Sequence, residues 1–347
     1  MGEPRILHAP ADVGGHAYGL SRGERALGFE SDVAVLTAGP YGYGADIRLD
    51  LTDLPPWQVI RRRAAFARHA LARYDVIHLN FGHPIVALRR GPFILSELPL
   101  LKRAGKTVIV TFQGCDVRPQ AACACTSAVC RAQDPKRLPN ARHMLRHADR
   151  VYHLNPDLRR WLPGSRFLPY ASVDVHAIAP SPPPARDELV VAHGPTNREV
   201  KGTEHVIAAV DALRGEGVAV RLDLVEGVTR NEALVRFGAA DVIVDQLRLG
   251  WYGGLAVEGM ALGRPVVAAI RESDPADNPF GGALPIVRSR LERVRDDLRE
   301  LLADPARRAR VGAEGRAFVE RHHDPRVVAR SILDDLPPEP TRYGCAR

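Results

Sequence analysis

Short apolar runs rich in β-branched residues constrain the fold of this chain more than any other feature. In the first half they are Arg5 to His8, Ser31 to Leu36, Val76 to Leu79 and Thr107 to Phe112. In the second half they are Leu189 to His193, Val220 to Val225, Ala240 to Val244 and Pro265 to Ile270. Segments long enough for crossover helices separate these runs, as in the buried parallel strands of doubly wound sheets. The pattern therefore predicts an α/β protein.

The length of 347 residues is more than one hydrophobic core usually organises, so we expect two Rossmann-like domains. The proline-rich run at 179–184 suits neither a helix nor a central strand and predicts the connection between them. The predicted first domain spans residues 1–178, the second 185–330, and a tail 331–347. The last helical stretch, from about Arg307 to Leu336, is expected to cross back onto the first domain.

Composition and charge limit the cellular setting and the partners. The chain has no run of about 18 apolar residues and no signal-peptide pattern, so we expect a cytoplasmic protein that does not span a membrane. Residues 1–170 carry 24 Lys and Arg against 14 Asp and Glu. This excess favours a phosphorylated substrate or an anionic membrane surface, and an arginine-rich coding bias is the alternative. No nucleic-acid-binding motif is visible, so no nucleic-acid partner is expected.

The segment from Trp57 to Tyr74 predicts an amphipathic basic helix. Its predicted apolar face consists of Trp57, Ile60, Ala64, Ala67 and Leu71. Packing of this face on the sheet of its own domain is one interpretation. Peripheral contact with a membrane surface is the other.

A glycine turn and a basic turn each follow a predicted strand. Gly14 and Gly15 open the first helix, where backbone amides can approach a phosphate, although a plain tight turn has the same pattern. In the second half, Arg198 and Lys201 stand before a helix, where two cations and the helix dipole can hold a diphosphate. A solvated charged loop is the alternative for this second turn.

A second helix start in the same half carries a glycine pair and an isolated acid. Gly253 and Gly254 expose amide donors, and Glu258 lies about one turn into an otherwise apolar helix. A carboxylate in that position can accept hydrogen bonds from both hydroxyls of a ribose. The two turns together predict a nucleotide site in the second domain.

These motifs resemble the retaining glycosyltransferases of family four, from the Gly14-Gly15 loop to the stretch from Gly312 to Glu320. The resemblance implies a GT-B fold, with two Rossmann-like domains facing each other across a cleft. It implies transfer of a sugar, with retention, from a UDP- or GDP-type donor to a hydroxyl acceptor, without a cofactor for catalysis. The basic charge of the first half favours an acidic or lipid-linked acceptor. The resemblance also implies that Arg198 and Lys201 bind the donor diphosphate, Glu258 the ribose, Gly253, Gly254 and Leu255 the phosphates or sugar, and Gly14 and Gly15 the distal phosphate.

The chain departs from the family pattern at two positions. Gly250 stands where the family has the first glutamate of its Glu-x7-Glu pattern, and Gln113 replaces a histidine in the turn Gln113-Gly114-Cys115-Asp116. Gln113 can bond a sugar hydroxyl but cannot share a proton. Gln113 and Asp116 are the candidate catalytic residues, with a turn or cap role as the alternative for Asp116.

Cys115, Cys123, Cys125 and Cys130 lie close together in the sequence. A structural zinc site is one interpretation, since thiols stay reduced in the cytoplasm, and free or redox-labile thiols are the other. His143 and His147, four residues apart on a predicted helix, are candidates to replace one ligand.

Two other functions compete with glycosyl transfer. A sugar-nucleotide epimerase of the same fold would need acid and base groups in the cleft, and no paired carboxylates indicate them. A degenerate GT-B protein would bind a nucleotide or a partner without turnover, as the missing glutamate and histidine allow. Hydrolysis of a donor in the absence of acceptor would distinguish competent chemistry from binding alone.

Overall fold

The computed structural model describes residues 3–37, 39, 42–90, 93–123, 125–271, 278–282 and 284–337. The strands are β1 (Ile6–Ala9), β2 (Ser31–Val35), β3 (Ile47–Arg48), β4 (Val76–Asn80), β5 (Ala87–Arg90), β6 (Phe93–Ser96), β7 (Thr107–Phe112), β8 (Arg150–His153), β9 (Arg166–Phe167), β10 (Leu189–His193), β11 (Val220–Leu224), β12 (Val242–Val244), β13 (Val266–Ala268) and β14 (Val287–Arg288). The helices are α1 (His16–Ala26), α2 (Pro56–Arg73), α3 (Leu98–Arg103), α4 (Ala128–Leu145), α5 (Arg198–Lys201), α6 (Thr203–Gly215), α7 (Arg230–Gly238), α8 (Gly254–Ala261), α9 (Val294–Ala303), α10 (Pro305–His322) and α11 (Pro325–Leu333).

The first sheet has the strand order β3-β2-β1-β4-β7-β8-β9, and its neighbouring strands run parallel. The apolar runs predicted in the first half all form strands of this sheet. Their side chains are buried on both faces, which is why the runs are continuously apolar. The pattern does not predict β8 and β9, because charged residues interrupt these short strands.

The second sheet has the order β11-β10-β12-β13-β14 and is also parallel. Residues of α6 and α9 pack in the core on one face of the sheet, and residues of α8 and α10 pack in the core on the other. Of the runs predicted in the second half, β10, β12 and β13 are buried strands between two helical layers, and β11 at the edge of the sheet is only partly buried. The strand β10 lies between β11 and β12, so the loops after these three strands open at one edge of the sheet.

The connection between the sheets enters the second domain earlier than the proline run at 179–184 indicates. Val173 and Val175 already pack in the core of the second sheet. Arg316 on α10 donates hydrogen bonds to the carbonyl oxygens of Val175, at 2.7 Å, and Ile178, at 2.6 Å. This arginine therefore fastens the segment before the prolines to the second domain.

The chain returns to the first domain at its last helix, as predicted. The helix α10 packs against α8 of the second domain, whereas α11 packs against α1. Val328 and Ile332 of α11 join Leu20 and the strands of the first sheet in one core. Residues 325–333 therefore lie on the first domain, although the domain prediction counts residues up to 330 with the second. Residues 338–347 of the predicted tail lie outside the described residues.

The basic helix α2 buries only the second half of its predicted apolar face, where Ala67 is buried and Leu71 packs against the core of the first domain. Its buried residues are Phe66, Ala67 and Ala70, all in its second half. Trp57 and Ile60 in the first half are 60% and 42% exposed, because only the second half packs on the sheet. Within the described part of the chain, no helix combines the length and apolar character needed to cross a bilayer.

Candidate active site

Lys201 lies at the end of α5, where its ammonium group is held by two side chains that follow β12. Its Nζ donates to Oδ1 of Asp245 at 2.8 Å and to Oε1 of Gln246 at 2.9 Å. Lys201 is 11% exposed and Asp245 is fully buried. Asp245 also accepts a hydrogen bond from the backbone N–H of Gly253. One buried carboxylate thus joins the predicted diphosphate turn to the glycine turn before α8.

Sequence reasoning missed Asp245 and Gln246, although one signal pointed to them. They directly follow an apolar strand, and polar residues at the carboxyl end of a parallel strand face the ligand edge of the sheet. A buried carboxylate also requires a partner. Lys201, which lies 44 positions away in the sequence, supplies that partner.

Arg198 begins α5 and is held more loosely than Lys201. Its guanidinium makes two hydrogen bonds to the carboxylate of Glu226, at 2.9 and 2.6 Å, and the arginine side chain is 49% exposed. Glu226 lies just beyond β11, in the loop beside that of Lys201. The two predicted cations therefore differ in burial, and each already has an acid from a neighbouring loop.

His193 links the end of β10 to the start of α6 and supports the turn between them. Its Nδ1 bonds the carbonyl oxygen of Val244 at 2.8 Å, so this nitrogen is the donor. Its Nε2 therefore accepts from the hydroxyl of Thr203 at 2.9 Å. Burial lowers the pKa of His193, which keeps the ring neutral in this bridge.

Glu258, the predicted ribose ligand, is paired with an arginine that sequence reasoning missed. Arg230 at the start of α7 donates to Oε1 of Glu258 at 3.0 Å and to the carbonyl oxygen of Ser172 at 3.2 Å. Burial raises the pKa of Glu258, and the nearby Arg230 acts in the opposite direction. The guanidinium of Arg230 also lies 5.6 Å from the ring centre of Tyr43 in the first domain.

The glycine turn of the first domain lies beside the same tyrosine. Gly14 and Gly15 have φ angles of 67° and 75°, which favour glycine. An ideal Cβ at Gly15 would lie 2.5 Å from the ring of Tyr43, so a side chain there would displace the ring. Asp12 accepts a hydrogen bond from the backbone N–H of Ala17 in the first turn of α1, at 3.0 Å. The turn is therefore a tight helix entry that faces Arg230 across Tyr43.

The residues at the start of α8 divide between the site and the core. An ideal Cβ at Gly253 would lie 3.2 Å from both Nζ of Lys201 and Oδ2 of Asp245, so this backbone lies close against the cation. Gly254 is the first residue of α8. The side chain of Leu255 is buried in the core of the second domain, which leaves its backbone as the part that can face a ligand. The structure thus brings Lys201, Gly253 and Gly254 together.

The candidate catalytic turn after β7 is held by its own carboxylate. Asp116 accepts hydrogen bonds from the backbone N–H groups of Gln113, at 2.9 Å, and Gly114, at 2.7 Å. Burial raises the pKa of Asp116 to about 6. The carbonyl oxygen of Gln113 accepts from the amide of Asn155 at 2.6 Å. This geometry favours the turn role of Asp116 over a role in proton transfer, because its oxygens already bond the loop.

The zinc prediction finds no support in the structure. Within the described residues, no group of three or more His, Cys, Asp or Glu side chains could hold a metal ion. Cys115 lies beside Cys123, and Cys125 lies beside Cys130. Cys130 lies on α4, where its sulfur accepts a hydrogen bond from Arg137 at 2.9 Å.

The two candidate replacement ligands have other neighbours. His143 bonds the hydroxyl of Ser96 through Nε2 at 2.7 Å. The ring centres of His143 and His147 are 5.2 Å apart, in an edge-to-face contact on α4. These contacts are those of histidines that pack on a helix surface.

The cysteine loop makes a direct contact with the second domain. The backbone N–H and the hydroxyl of Thr126 both donate to Oε2 of Glu199, each at 2.9 Å. Glu199 lies on α5 between Arg198 and Lys201. The loop that carries the thiols therefore touches the short helix that carries both predicted diphosphate ligands.

No protein-family model and no curated protein sequence matches the chain. Solved structures are similar over almost the whole chain. Sucrose-phosphate synthase from Thermosynechococcus elongatus is 20% identical with a TM-score of 0.66, over 96% of this chain and 98% of that one. An alpha-glucosyltransferase in complex with UDP and a 13-mer DNA containing an A:G mismatch is 12% identical with a TM-score of 0.59, over 96% and 99%. A putative UDP-N-acetylglucosamine 2-epimerase from Listeria monocytogenes is 12% identical with a TM-score of 0.55, over 96% and 95%.

Identities this low establish the fold alone, and enzymes that share a fold differ in chemistry. The neighbours and the two parallel sheets agree on the architecture. The chain has the GT-B fold.

Proposed function

We propose that this protein is a retaining glycosyltransferase that moves a sugar from a nucleoside-diphosphate sugar to a hydroxyl acceptor. The observation that carries the proposal is the buried ammonium group of Lys201, held by Asp245 and Gln246 beside the glycine turn of α8. A lysine has three N–H donors. Among the described residues two of them are bonded, which leaves one donor for a phosphate oxygen.

The electrostatics of this turn suit a diphosphate that leaves with its electron pair. When the bond between the anomeric carbon and the phosphate oxygen breaks, negative charge grows on that oxygen. Lys201, Arg198 and the amides at the start of α8 supply positive potential for this charge. The acceptor oxygen bonds to the anomeric carbon on the same face, and its proton passes to the leaving phosphate. This route needs no protein base, which is consistent with Gln113 and the hydrogen-bonded Asp116 in the first domain.

The nucleotide would lie along α8, with Glu258 accepting hydrogen bonds from the ribose hydroxyls. Arg230 contacts Glu258 from α7 and reaches Tyr43 of the first domain. A neighbour of the same fold was solved with UDP, which supports a nucleoside diphosphate as the ligand class. Gly14 and Gly15 lie beyond Tyr43 and can approach the distal phosphate through their backbone.

The decisive experiment is donor hydrolysis without acceptor. Wild-type protein is incubated with a panel of UDP- and GDP-sugars, and free nucleoside diphosphate and the anomer of the free sugar are followed by NMR. Slow release of nucleoside diphosphate with a sugar of retained configuration supports the proposal. Accumulation of an epimer of the intact donor would instead identify an epimerase, as in the Listeria neighbour named above. Donor binding without turnover in the presence of a broad acceptor panel would identify a degenerate binding protein.

A further inference from the structure

A cavity of about 280 Å³ lies between the two domains, next to the glycine-rich turn of the second. Arg118 and Asp157 line it from the first domain, and Gly250, Arg271 and Arg288 line it from the second. None of Lys201, Arg198 and Glu258 lines it. The cavity is thus separate from the proposed diphosphate turn, and Gly250 lies only three residues before Gly253 of that turn.

The charges of the described residues that line the cavity do not balance. Arg118 is neutralised by Asp157, which accepts two of its hydrogen bonds at 2.8 and 2.9 Å. Arg271 and Arg288 also line the cavity, and neither forms an ion pair with a carboxylate among the residues that the structure describes. Among the lining residues that the structure describes, these two guanidinium groups therefore leave a net positive charge.

Glycine at position 250 preserves this positive charge, because a side chain there would occupy the space of the Arg271 side chain. An ideal Cβ at position 250 would lie 2.8 Å from Nε of Arg271 and 2.9 Å from its Cβ. The backbone N–H of Arg271 donates to the carbonyl oxygen of Gly250 at 2.9 Å, so the two residues are fixed side by side. An acidic side chain at this position would neutralise the guanidinium, whereas glycine leaves that charge for a ligand.

We propose that this cavity binds an anionic group, a carboxylate or a phosphate ester, on one of the two sugars that react. Arg271 and Arg288 bind the anionic group, and the Arg118–Asp157 pair forms the opposite wall of the cavity. The inference rests on the proposed glycosyl transfer, because the turn from Gly250 to Gly253 joins the cavity to the diphosphate site. Guanidinium groups bind planar or tetrahedral oxyanions through paired N–H donors, which explains arginine at both positions.

Binding of matched neutral and anionic probes tests the inference by calorimetry. UDP and GDP alone are measured first, to learn which nucleotide binds. The donor arm then compares UDP-glucose with UDP-glucuronic acid or, if GDP binds, GDP-mannose with GDP-mannuronic acid. The acceptor arm compares glucose with glucose 6-phosphate in the presence of the nucleotide. We expect the anionic member of one arm to bind about tenfold more tightly than its neutral counterpart.

Three variants assign the preference to the cavity. Arg271→Gln and Arg288→Gln should each remove most of the tenfold preference and leave the affinity for the nucleotide alone unchanged. Arg221→Gln, which changes a half-exposed arginine on β11, is the matched control and should keep the preference. The inference is wrong if both arms show equal affinities, or if the two cavity variants keep the preference. Failure of both nucleotides to bind would instead contradict the proposed function, and the inference with it.

Discussion

The candidate catalytic turn after β7 and the turn around α5 hold their ionisable side chains in different ways. In the first domain, the carboxylate of Asp116 bonds the backbone of its own turn. In the second, Lys201 and Arg198 bond acids that come from neighbouring loops, Asp245 and Glu226. Side-chain pairs between loops can exchange a partner for a ligand, whereas a carboxylate that shapes its own turn cannot leave without loosening the turn. Substitution of Lys201 or Arg198 in the second domain should therefore reduce the activity of the protein, whereas substitution of Asp116 in the first domain should reduce its stability.

The largest effect is expected for Lys201→Ala. Loss of an electrostatic contact to a leaving group costs about 3 kcal/mol, so kcat/KM for the donor should fall by about two orders of magnitude or more. Steady-state kinetics with the donor identified by the hydrolysis screen measure this. Arg198→Ala should cost less, about tenfold, because that side chain is half exposed and its field is screened.

A paired variant separates function from folding in this prediction. Removal of Lys201 leaves Asp245 buried without its cation, which destabilises a protein by itself. Lys201→Gln combined with Asp245→Asn removes both charges and keeps polar groups in place. The unfolding temperature of this double variant should therefore lie closer to that of wild type than the unfolding temperature of Lys201→Ala does. This double variant should still be inactive. Turnover like that of wild type in either variant would refute the diphosphate role of Lys201.

The next effect concerns the ribose contact. Glu258→Gln keeps the shape and one acceptor but loses the charge, so the KM for the donor should rise about tenfold while the fold persists. The measurement is donor KM together with circular dichroism. An unchanged donor affinity would mean that Glu258 serves only as the counterion of Arg230.

Asp116→Asn tests the other side of the comparison. The asparagine NH2 group cannot accept from the amides of Gln113 and Gly114, so a buried donor is left without an acceptor. The free energy of unfolding should fall by about 1–3 kcal/mol, measured by urea denaturation. The KM for the donor should stay within about twofold of wild type, which is a smaller change than the loss of one hydrogen bond to the donor would cause. A large loss of kcat with unchanged stability would restore Asp116 as a catalytic residue.

The smallest effect is on chemical reactivity in the cysteine loop. The Cys115 thiol, with Arg118 and Arg137, lowers the pKa of Cys123 to about 6. With a pKa of about 6, Cys123 is mostly ionised at pH 7, and the thiolate is the form that reacts with iodoacetamide. Alkylation of Cys123 should therefore be nearly constant from pH 7 to 8 and decline below pH 6. Mass spectrometry of labelled peptides should find Cys123 modified before the buried Cys125 and Cys130. A rate that still rises steeply above pH 8 would contradict the lowered pKa.

Local sequence patterns determined the α/β class, the main strands of both sheets and the return of the last helix. They also placed Arg198, Lys201, Gly253 and Glu258 in turns and helix starts that follow strands. These features were predictable because an apolar run, a glycine turn and a helix start each depend on neighbouring residues. The sequence also showed that Gly250 replaces the first glutamate of the family pattern, but it did not show that Arg271 lies against this glycine.

Only the tertiary structure decided which charges meet. Asp245 lies 44 positions from Lys201, and Arg230 lies 28 positions from Glu258. These pairs form because the strand order places β12 beside β10, and because α7 and α8 pack together. The same is true of Arg271 against Gly250. It is also true of the thiols, for which the sequence left a zinc site and free thiols open, whereas the structure places Arg137 against the Cys130 sulfur and shows no metal-holding group among the described residues. Side-chain periodicity encodes which face of an element is buried, but strand order and helix packing decide which distant polar group lies opposite.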